Sequence, residues 1–159
     1  MTEISGNTPL NIDSTESSGP ENSLLLLIKN VHFAILRTVD KKIAPLDLTA
    51  MQWGPIMAIS SGLAHTAADL ANLANIDTGA VTRMLDRLET KGLLIRQRST
   101  EDRRVVNLVL TEEGQRMAKK IPAVLAESMH FHLDGFSTDE IATLKSLLKR
   151  MLENVPDGD

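Results

Sequence analysis

Basic side chains are concentrated in one short stretch of the sequence. Residues 83–104 contain seven Lys or Arg and four Asp or Glu, a local charge of +3 in a chain whose formal net charge is −4. The basic residues are Arg83, Arg87, Lys91, Arg96, Arg98, Arg103 and Arg104. A guanidinium group can clamp a phosphate or pair with the edge of a guanine base. The stretch therefore predicts a polyanionic partner, which the overall charge would not suggest.

The negative charge lies at the beginning of the chain. Residues 1–22 carry four acidic side chains and no Lys or Arg, so the rest of the 159 residues is electrically neutral. This segment is rich in Ser, Thr, Asn, Gly and Pro and has almost no apolar period. We expect a flexible acidic tail over residues 1–22 and one folded domain over residues 23–159.

Composition excludes several kinds of functional site. Without cysteine there is no disulfide framework, thiolate metal site, cysteine nucleophile or thiol redox switch. Aromatic residues make up 3% of the chain, which disfavours a base-stacking platform for single-stranded nucleic acid. His130 and His132 lie two positions apart, so on a helix they face different sides and cannot chelate one ion together. We expect no metal, no cofactor and no enzymatic activity.

No segment of the sequence predicts export or membrane insertion. The N-terminus has neither a basic region nor a sustained apolar region, as a secretory signal requires. The apolar run from Leu24 to Ile28 is too short to span a bilayer. We therefore expect a soluble, cytoplasmic protein that does not act at a membrane.

The hydrophobic pattern predicts four helices before any strand. The first is a long helix from Ser23 to about Ala44, with an apolar stripe wider than one small domain needs. The second begins at a Thr49 cap and ends near Ser60, and the proline of Gly54-Pro55 is expected to kink or shorten it. Two further helices, 67–74 and 78–91, are separated by the turn 75–77 and predict a helix-turn-helix.

The period then changes from helical to alternating. Segments 93–98 and 104–110 predict two strands joined by a polar loop, in other words a hairpin or wing. A long helix follows a Thr111 cap and is expected to bend at Pro122, and a last helix follows the capping-box spacing of Ser137 and Glu140. The predicted fold is mainly α (α+β): a winged helix-turn-helix with a two-stranded wing between flanking N- and C-terminal helices.

The fourth helix and the wing carry the residues that could contact DNA. On the helix these residues lie off the apolar stripe and near its N-terminus, where a recognition helix needs its donors. They are Thr78, Gly79, Thr82, Arg83 and Arg87. On the wing, Arg103 lies near the tip, where an arginine can enter a narrow minor groove, and Asp102 is expected to hold its guanidinium. Arg96, Arg98 and Arg104 are expected lower on the hairpin, near backbone phosphates or the domain interface.

Several motifs in this order resemble the MarR (multiple antibiotic resistance) family of regulators. Residues 77–93 look like the family's recognition helix, 101–104 like its wing signature and 110–114 like the start of its fifth helix. Residues 48–53 resemble the entry to its second helix, and the likeness extends from Leu24 to Val155. Thr82 and Arg83 match positions that contact bases or phosphates, and Arg103 matches the minor-groove arginine.

The resemblance implies a sequence-specific DNA-binding transcriptional regulator. It implies a homodimer in which residues 23–48 and 112–156 are dimerisation helices and residues 49–111 form the DNA-binding lobe. The expected operator is a pseudo-palindrome with half-sites about one helical turn, ~10 bp, apart. Family members are usually repressors that a small molecule releases from DNA.

The resemblance also implies a ligand cleft between the dimer helices and the lobe, holding phenolic or aromatic carboxylate molecules. Arg96 matches an arginine that meets anionic ligands in some members, and the apolar part of the cleft is expected to include His32, Trp53, Met57 and His65. The alternative is that Trp53 and Met57 are core residues and that His65 is solvated. Because the chain has no cysteine, it does not belong to the peroxide-sensing branch.

A second hypothesis is a winged-helix dimer that serves as a protein-interaction scaffold without reading DNA. Such a scaffold has no need of arginines at positions 83, 87, 103 and 104. A steep loss of DNA affinity with increasing salt would favour the regulator, and a flat response would favour the scaffold.

Overall fold

The computed structural model describes residues 23–154, which form six α-helices and one two-stranded antiparallel sheet. The predicted mainly α fold with a wing is confirmed. The helices are α1 (Leu24–Ile43), α2 (Trp53–Ser60), α3 (Ala67–Ala74), α4 (Thr78–Thr90), α5 (Glu112–His132) and α6 (Thr138–Glu153), and the strands are β1 (Leu94–Arg98) and β2 (Val106–Leu110). The predicted tail 1–22 and residues 155–159 lie outside the described residues.

The prediction that Thr49 caps α2 is wrong, and of the two effects expected near Pro55 the structure shows a shorter helix, not a kinked one. Residues 50–52 form a turn in which Gln52 N donates to Thr49 O at 2.9 Å, and the helix begins at Trp53. Pro55 is therefore the third helical residue. Backbone N–H groups in the first turn have no partner within the helix, so proline at this position removes no helical hydrogen bond. Thr49 is not the helix cap.

Helices α3 and α4 form the predicted helix-turn-helix. Thr66 and Asp69 form a reciprocal capping box at the start of α3, in which Thr66 Oγ1 accepts from Asp69 N at 3.2 Å. Asn75 ends α3 in the left-handed conformation, with φ +48°, and Asp77 caps α4 by accepting from Ala80 N at 3.0 Å. In the predicted apolar stripe of α4, Val81, Leu85 and Leu88 have 0% exposure, and Met84 is only partly buried.

The wing leaves α4 through Gly92, whose φ of +68° is a left-handed conformation that glycine adopts readily. Strands β1 and β2 pair from Leu94 with Leu110 to Arg98 with Val106. Ser99 N donates to Val105 O at 2.9 Å and closes the loop, so β2 begins at Val106 instead of the predicted Arg104. Farther along β2, Leu108 N donates to the His65 carbonyl at 2.8 Å and ties the wing to the segment before α3.

One hydrophobic core joins the lobe to the long helices. Its largest fully buried members come from α1, α2, α4, β1 and α5: Ile43, Ile56, Val81, Leu85, Leu88, Leu94 and Ile121. Apolar side chains on α1 and α6 remain exposed in the single chain, including Leu25 at 73% and Leu152 at 73%. In the described part of the chain, no helix has the length and apolar character needed to cross a membrane.

The N-terminus of α5 meets the start of β1 at close range. Thr111 N donates to Leu93 O at 3.1 Å, and Thr111 Oγ1 donates to Gly92 O at 2.6 Å. Gly114 is buried here, and a Cβ built on it would lie 1.9 Å from Leu93 O. Because only a residue without a side chain fits this approach, glycine fixes how closely α5 packs against the wing. Helix α5 continues through Pro122.

Candidate nucleic-acid interface

The N-terminal half of α4 presents a polar face to solvent. Thr78, Thr82, Arg83 and Arg87 are exposed, and Gly79 is partly exposed. Thr82 Oγ1 donates to Thr78 O at 2.9 Å, which leaves its hydroxyl oxygen able to accept a further hydrogen bond. A Cβ at position 79 would lie 2.8 Å from Asp77 Oδ2, so glycine lets the capping carboxylate fold over the helix end.

Arg83 and Arg87 form no ion pair with any described residue. They stand four positions apart on one face of α4 and border a shallow hollow with Thr49, Gln52 and Met84. Their guanidinium groups are therefore available to an external acceptor.

Arg96 is held inside the lobe. Its guanidinium contacts Asp86 Oδ1 at 2.7 Å and Glu89 Oε2 at 2.6 Å, and it lies 3.5 Å from the Thr82 carbonyl. Burial alone would lower the pKa of Arg96, but hydrogen bonds and charges from the two carboxylates raise it. Arg96 thus pairs with both acidic side chains of α4 and offsets one of their two negative charges. The predicted ligand role requires a free anion-binding group, and Arg96 in this placement does not provide one.

The wing presents three further arginines without a partner among the described residues, Arg98, Arg103 and Arg104. The expected contact between Asp102 and the Arg103 guanidinium is not formed. Asp102 Oδ1 instead accepts from the backbone N of Arg104 at 2.9 Å, because an aspartate readily bonds the amide two residues ahead in a turn. Asp102 therefore shapes the loop, and the Arg103 side chain is left exposed.

Lys91 is also unavailable, which sequence reasoning did not foresee. Its Nζ donates to the Asp47 carbonyl and lies 3.4 Å from both Asp47 Oδ1 and Gln52 Oε1. Asp47 adopts a left-handed φ of +54° that points this carbonyl toward α4. The pairing of Asp86 and Glu89 with Arg96 was equally missed, although their three-residue spacing on one helix face is a usable signal.

The predicted ligand residues are not brought together. Trp53 and Met57 line an apolar cavity of about 600 Å³ among α2, α3 and α4, with Leu36 of α1. His65 lines a different, more polar cavity of about 390 Å³ with Leu108 and Lys119. His32 is exposed on α1 and lines neither cavity. Within residues 23–154, no three His, Asp or Glu side chains are grouped as metal ligands would be.

The arrangement therefore offers five exposed arginines on a helix and a hairpin of one lobe, and none of the five forms an ion pair within the described part of the chain. A helix and a ribbon of this kind can enter the grooves of duplex DNA, and arginine can bind phosphates or base edges there. The geometry is suited to binding a polyanion. Among residues 23–154 no side chains are arranged as a catalytic site would require.

Comparisons with known proteins agree with this geometry. The family model described as MarR family matches residues 48–106, from the segment before α2 to the wing. The multiple antibiotic resistance protein MarR of Escherichia coli (strain K12) is 34% identical over 117 residues, covering 73% of this chain and 81% of that protein. The chain belongs to the MarR family. It is a DNA-binding transcriptional regulator and not an enzyme.

Solved structures of MarR proteins share the fold. A cysteine-to-serine mutant of E. coli MarR complexed with operator DNA has a TM-score of 0.73 and 30% identity, covering 85% of this chain and 99% of that chain. CouR from Rhodococcus jostii RHA1, bound to p-coumaroyl-CoA, has a TM-score of 0.75 and 18% identity, covering 90% of this chain and 99% of that one. The second likeness shows the fold alone.

Proposed function

We propose that this MarR-family chain is a homodimeric repressor that binds a pseudo-palindromic operator through α4 and the wing. In this proposal Thr78, Gly79, Thr82, Arg83 and Arg87 contact DNA from α4, in the major groove. Arg103 enters the minor groove from the tip of the wing, and Arg98 and Arg104 bind flanking phosphates. The E. coli MarR complex with operator DNA supports this mode of binding.

The observation that carries the proposal is the division of the arginines. Arg96 pairs with both acidic residues of α4, while the other five arginines between residues 83 and 104 are exposed and have no ion-pair partner among residues 23–154. A folded chain that used these arginines only for solubility would gain nothing from keeping carboxylates away from them. A phosphate-binding surface benefits from arginines without internal partners, because an internal ion pair would have to break before its arginine could bind a phosphate.

Exposed apolar side chains on α1 and α6 support the homodimer. Leu24, Leu27 and Val31 on α1, together with Leu148 and Met151 on α6, are between 44% and 55% exposed in the single chain. Apolar patches of this kind are typical of protein–protein interfaces. We accordingly assign residues 23–48 and 112–156 to dimerisation and residues 49–111 to the DNA-binding lobe. In this proposal the protein acts in the cytoplasm, and a small aromatic molecule releases it from DNA.

The DNA-binding residues can be tested with single arginine substitutions. Fluorescence anisotropy on duplexes from the region upstream of the protein's own gene would compare the wild type with Arg83→Ala, Arg103→Ala and Arg116→Ala. Arg116 serves as the control because it lies on α5 and pairs with Glu113. We expect Arg103→Ala to weaken DNA binding without changing dimerisation or thermal stability. We expect Arg83→Ala to cost ~1–3 kcal/mol and relax sequence preference if it makes a bidentate base contact.

Several results would contradict the proposal. Equal weakening by Arg83→Ala on all sequences would place that residue on phosphate instead of a base edge. A monomeric or destabilised Arg103→Ala variant would make the residue structural. A steep fall in DNA affinity with increasing salt would reject the scaffold alternative. Each phosphate contact contributes about −0.9 to the slope of the logarithm of the binding constant against the logarithm of the salt concentration.

A further inference from the structure

The connection between α1 and α2 joins the proposed dimer helices to the DNA-binding lobe. It runs through a short 3₁₀ helix, Ala44–Leu46, and a turn that ends at Gln52. Ala50 N donates to Asp40 Oδ1 at 2.5 Å, which holds the connection against α1. Gln52 is only 5% exposed, and its Oε1 accepts from Thr49 N at 3.1 Å. Directional hydrogen bonds therefore fix this connection in place beside α1.

Lys91 ties the same connection to the last turn of α4. It is the C-cap residue of α4, and its side chain is 27% exposed. A lysine ammonium has three N–H donors, and three oxygens surround this one: the Asp47 carbonyl, Asp47 Oδ1 and Gln52 Oε1. Arg87, which borders a hollow beside Lys91, has no ion-pair partner among residues 23–154. Lys91 is therefore placed to hold α4, whereas Arg87 is placed to bind a phosphate or a base.

A small tilt of α4 about its Lys91 end produces a large displacement at its N-terminus. The helix has 13 residues, so at 1.5 Å per residue its N-terminus lies about 20 Å from Lys91. A tilt of about 5° then moves the N-terminus by about 1.7 Å. In the proposed homodimer, opposite tilts of the two α4 helices change their separation by about 3.4 Å, the rise of one base pair. Apolar packing beneath α4 is non-directional, whereas the hydrogen bonds of Lys91 are directional and resist the tilt.

We propose that Lys91 is a positioning residue that determines which spacing of DNA half-sites the dimer accepts. By holding α4 at a fixed angle to the connection that follows α1, it fixes the distance between the two DNA-contacting faces. The inference rests on the proposed homodimeric operator-binding function and names the residue that controls its spacing. Loss of the Lys91 bonds lets α4 tilt, so it relaxes the discrimination between spacings without removing a contact with DNA.

Fluorescence anisotropy of the full-length protein on three duplexes tests this role. The first is the duplex from the region upstream of the protein's own gene that the wild type binds most tightly. The other two have one base pair inserted at, or removed from, its centre. Each change moves the half-sites by about 3.4 Å and turns one relative to the other by about 34–36°. We expect the wild type to bind both altered duplexes more weakly, and this loss of affinity is the spacing penalty.

Three variants separate positioning from phosphate binding. Lys91→Met has a side chain of similar length without the ammonium, and we expect its spacing penalty to be about fivefold smaller than that of the wild type, the factor for one net hydrogen bond. Its salt dependence should equal that of the wild type, since no phosphate contact is lost. Lys91→Arg keeps the charge and should restore part of the penalty. Arg98→Met, on the wing, is the comparison: it should weaken binding to all three duplexes alike and reduce the salt slope by about 0.9.

The proposal is overturned if Lys91→Met keeps the wild-type spacing penalty, or if Lys91→Arg restores none of it. A salt slope reduced by about 0.9 in Lys91→Met would place the residue on a phosphate and also overturn the proposal. Thermal melts and sedimentation accompany the titrations, and an unfolded or monomeric Lys91→Met protein would make Lys91 a structural residue, which is again a refutation. These results reject this inference alone when the wild type binds the operator with a spacing penalty. A wild type that binds no upstream duplex, or binds all three spacings equally, rejects the proposed function.

Discussion

Gly114 gives a sharp test of how α5 is attached to the lobe. Replacing it by alanine would put a Cβ 1.9 Å from Leu93 O and 3.3 Å from the Leu110 Cβ. Carbon–oxygen contacts in proteins are rarely closer than about 3.3 Å, so the backbone of α5 or of Leu93 must retreat by about 1.4 Å. The obstacle is a backbone atom, and no side-chain rotation can relieve it.

The cost of this retreat follows from the bonds that it stretches. Thr111 donates to Leu93 O and to Gly92 O, and each such hydrogen bond contributes about 1 kcal/mol net. Overpacking strain adds about 1–3 kcal/mol, and alanine returns about 1 kcal/mol through its higher helix propensity. We therefore expect Gly114→Ala to lower the free energy of unfolding by about 2–4 kcal/mol.

Urea and thermal unfolding measure this loss, which corresponds to a fall in Tm of roughly 5–15 °C for a chain of this size. Gly54→Ala is the matched control, because Gly54 is also in a helix but its added Cβ meets no atom within 4 Å. We expect the control to be neutral or slightly stabilising. A Gly114→Ala protein as stable as Gly54→Ala would refute the close approach of α5 to Leu93.

Three further predictions concern charge and assembly. Arg96→Met should weaken DNA binding, because Asp86 and Glu89 then lie beside the exposed arginines without a compensating charge. Because the two ion pairs are partly exposed, we expect the free energy of unfolding to fall by no more than ~1 kcal/mol. Anisotropy measures the first effect and thermal melts the second, and a loss of stability greater than the loss of binding free energy would contradict the prediction. Backbone hydrogen bonds lower the pKa of Asp69 below its ordinary 3.8, so the stabilisation by its carboxylate is present above that pH and is lost as the pH falls through the lowered pKa. In urea unfolding, Asp69→Asn should therefore be less stable than the wild type at neutral pH, and the difference should disappear in acid. A difference that stays constant with pH would be evidence against the capping role of Asp69. In the proposed homodimer, Leu148→Glu on α6 should shift sedimentation toward the monomer, and an unchanged dimer would place the interface elsewhere.

The helix-turn-helix and the wing could be predicted from the sequence because local chemistry determines their limits. Thr66, Asp77 and Thr111 cap helices where the apolar period begins, and Gly92 ends α4. The start of α2 was mistaken because Pro55 fits both the interior of a kinked helix and the first turn of a straight one.

The interior of the candidate site depends on contacts between distant segments. Lys91 pairs with Asp47 across 44 positions, and nothing near either residue in the sequence indicates the partner. The cavity likewise arises where three helices fail to fill the space between them, which depends on their packing angles. Local periodicity identifies arginines on an exposed face, but it cannot tell which of them forms an ion pair with a carboxylate of another element.

The hydrogen bond from Leu108 N to the His65 carbonyl has a consequence for the DNA itself. It prevents the hairpin from swinging independently of the helix-turn-helix, so the offset between Arg103 and Arg83 is fixed within the lobe. In the proposed complex, with Arg83 in one groove and Arg103 in another, the duplex must match that offset by its own twist, and overwinding or underwinding would rotate one groove away from its arginine. Occupancy of the operator should therefore vary with the superhelical density of the template, even when the base sequence is unchanged.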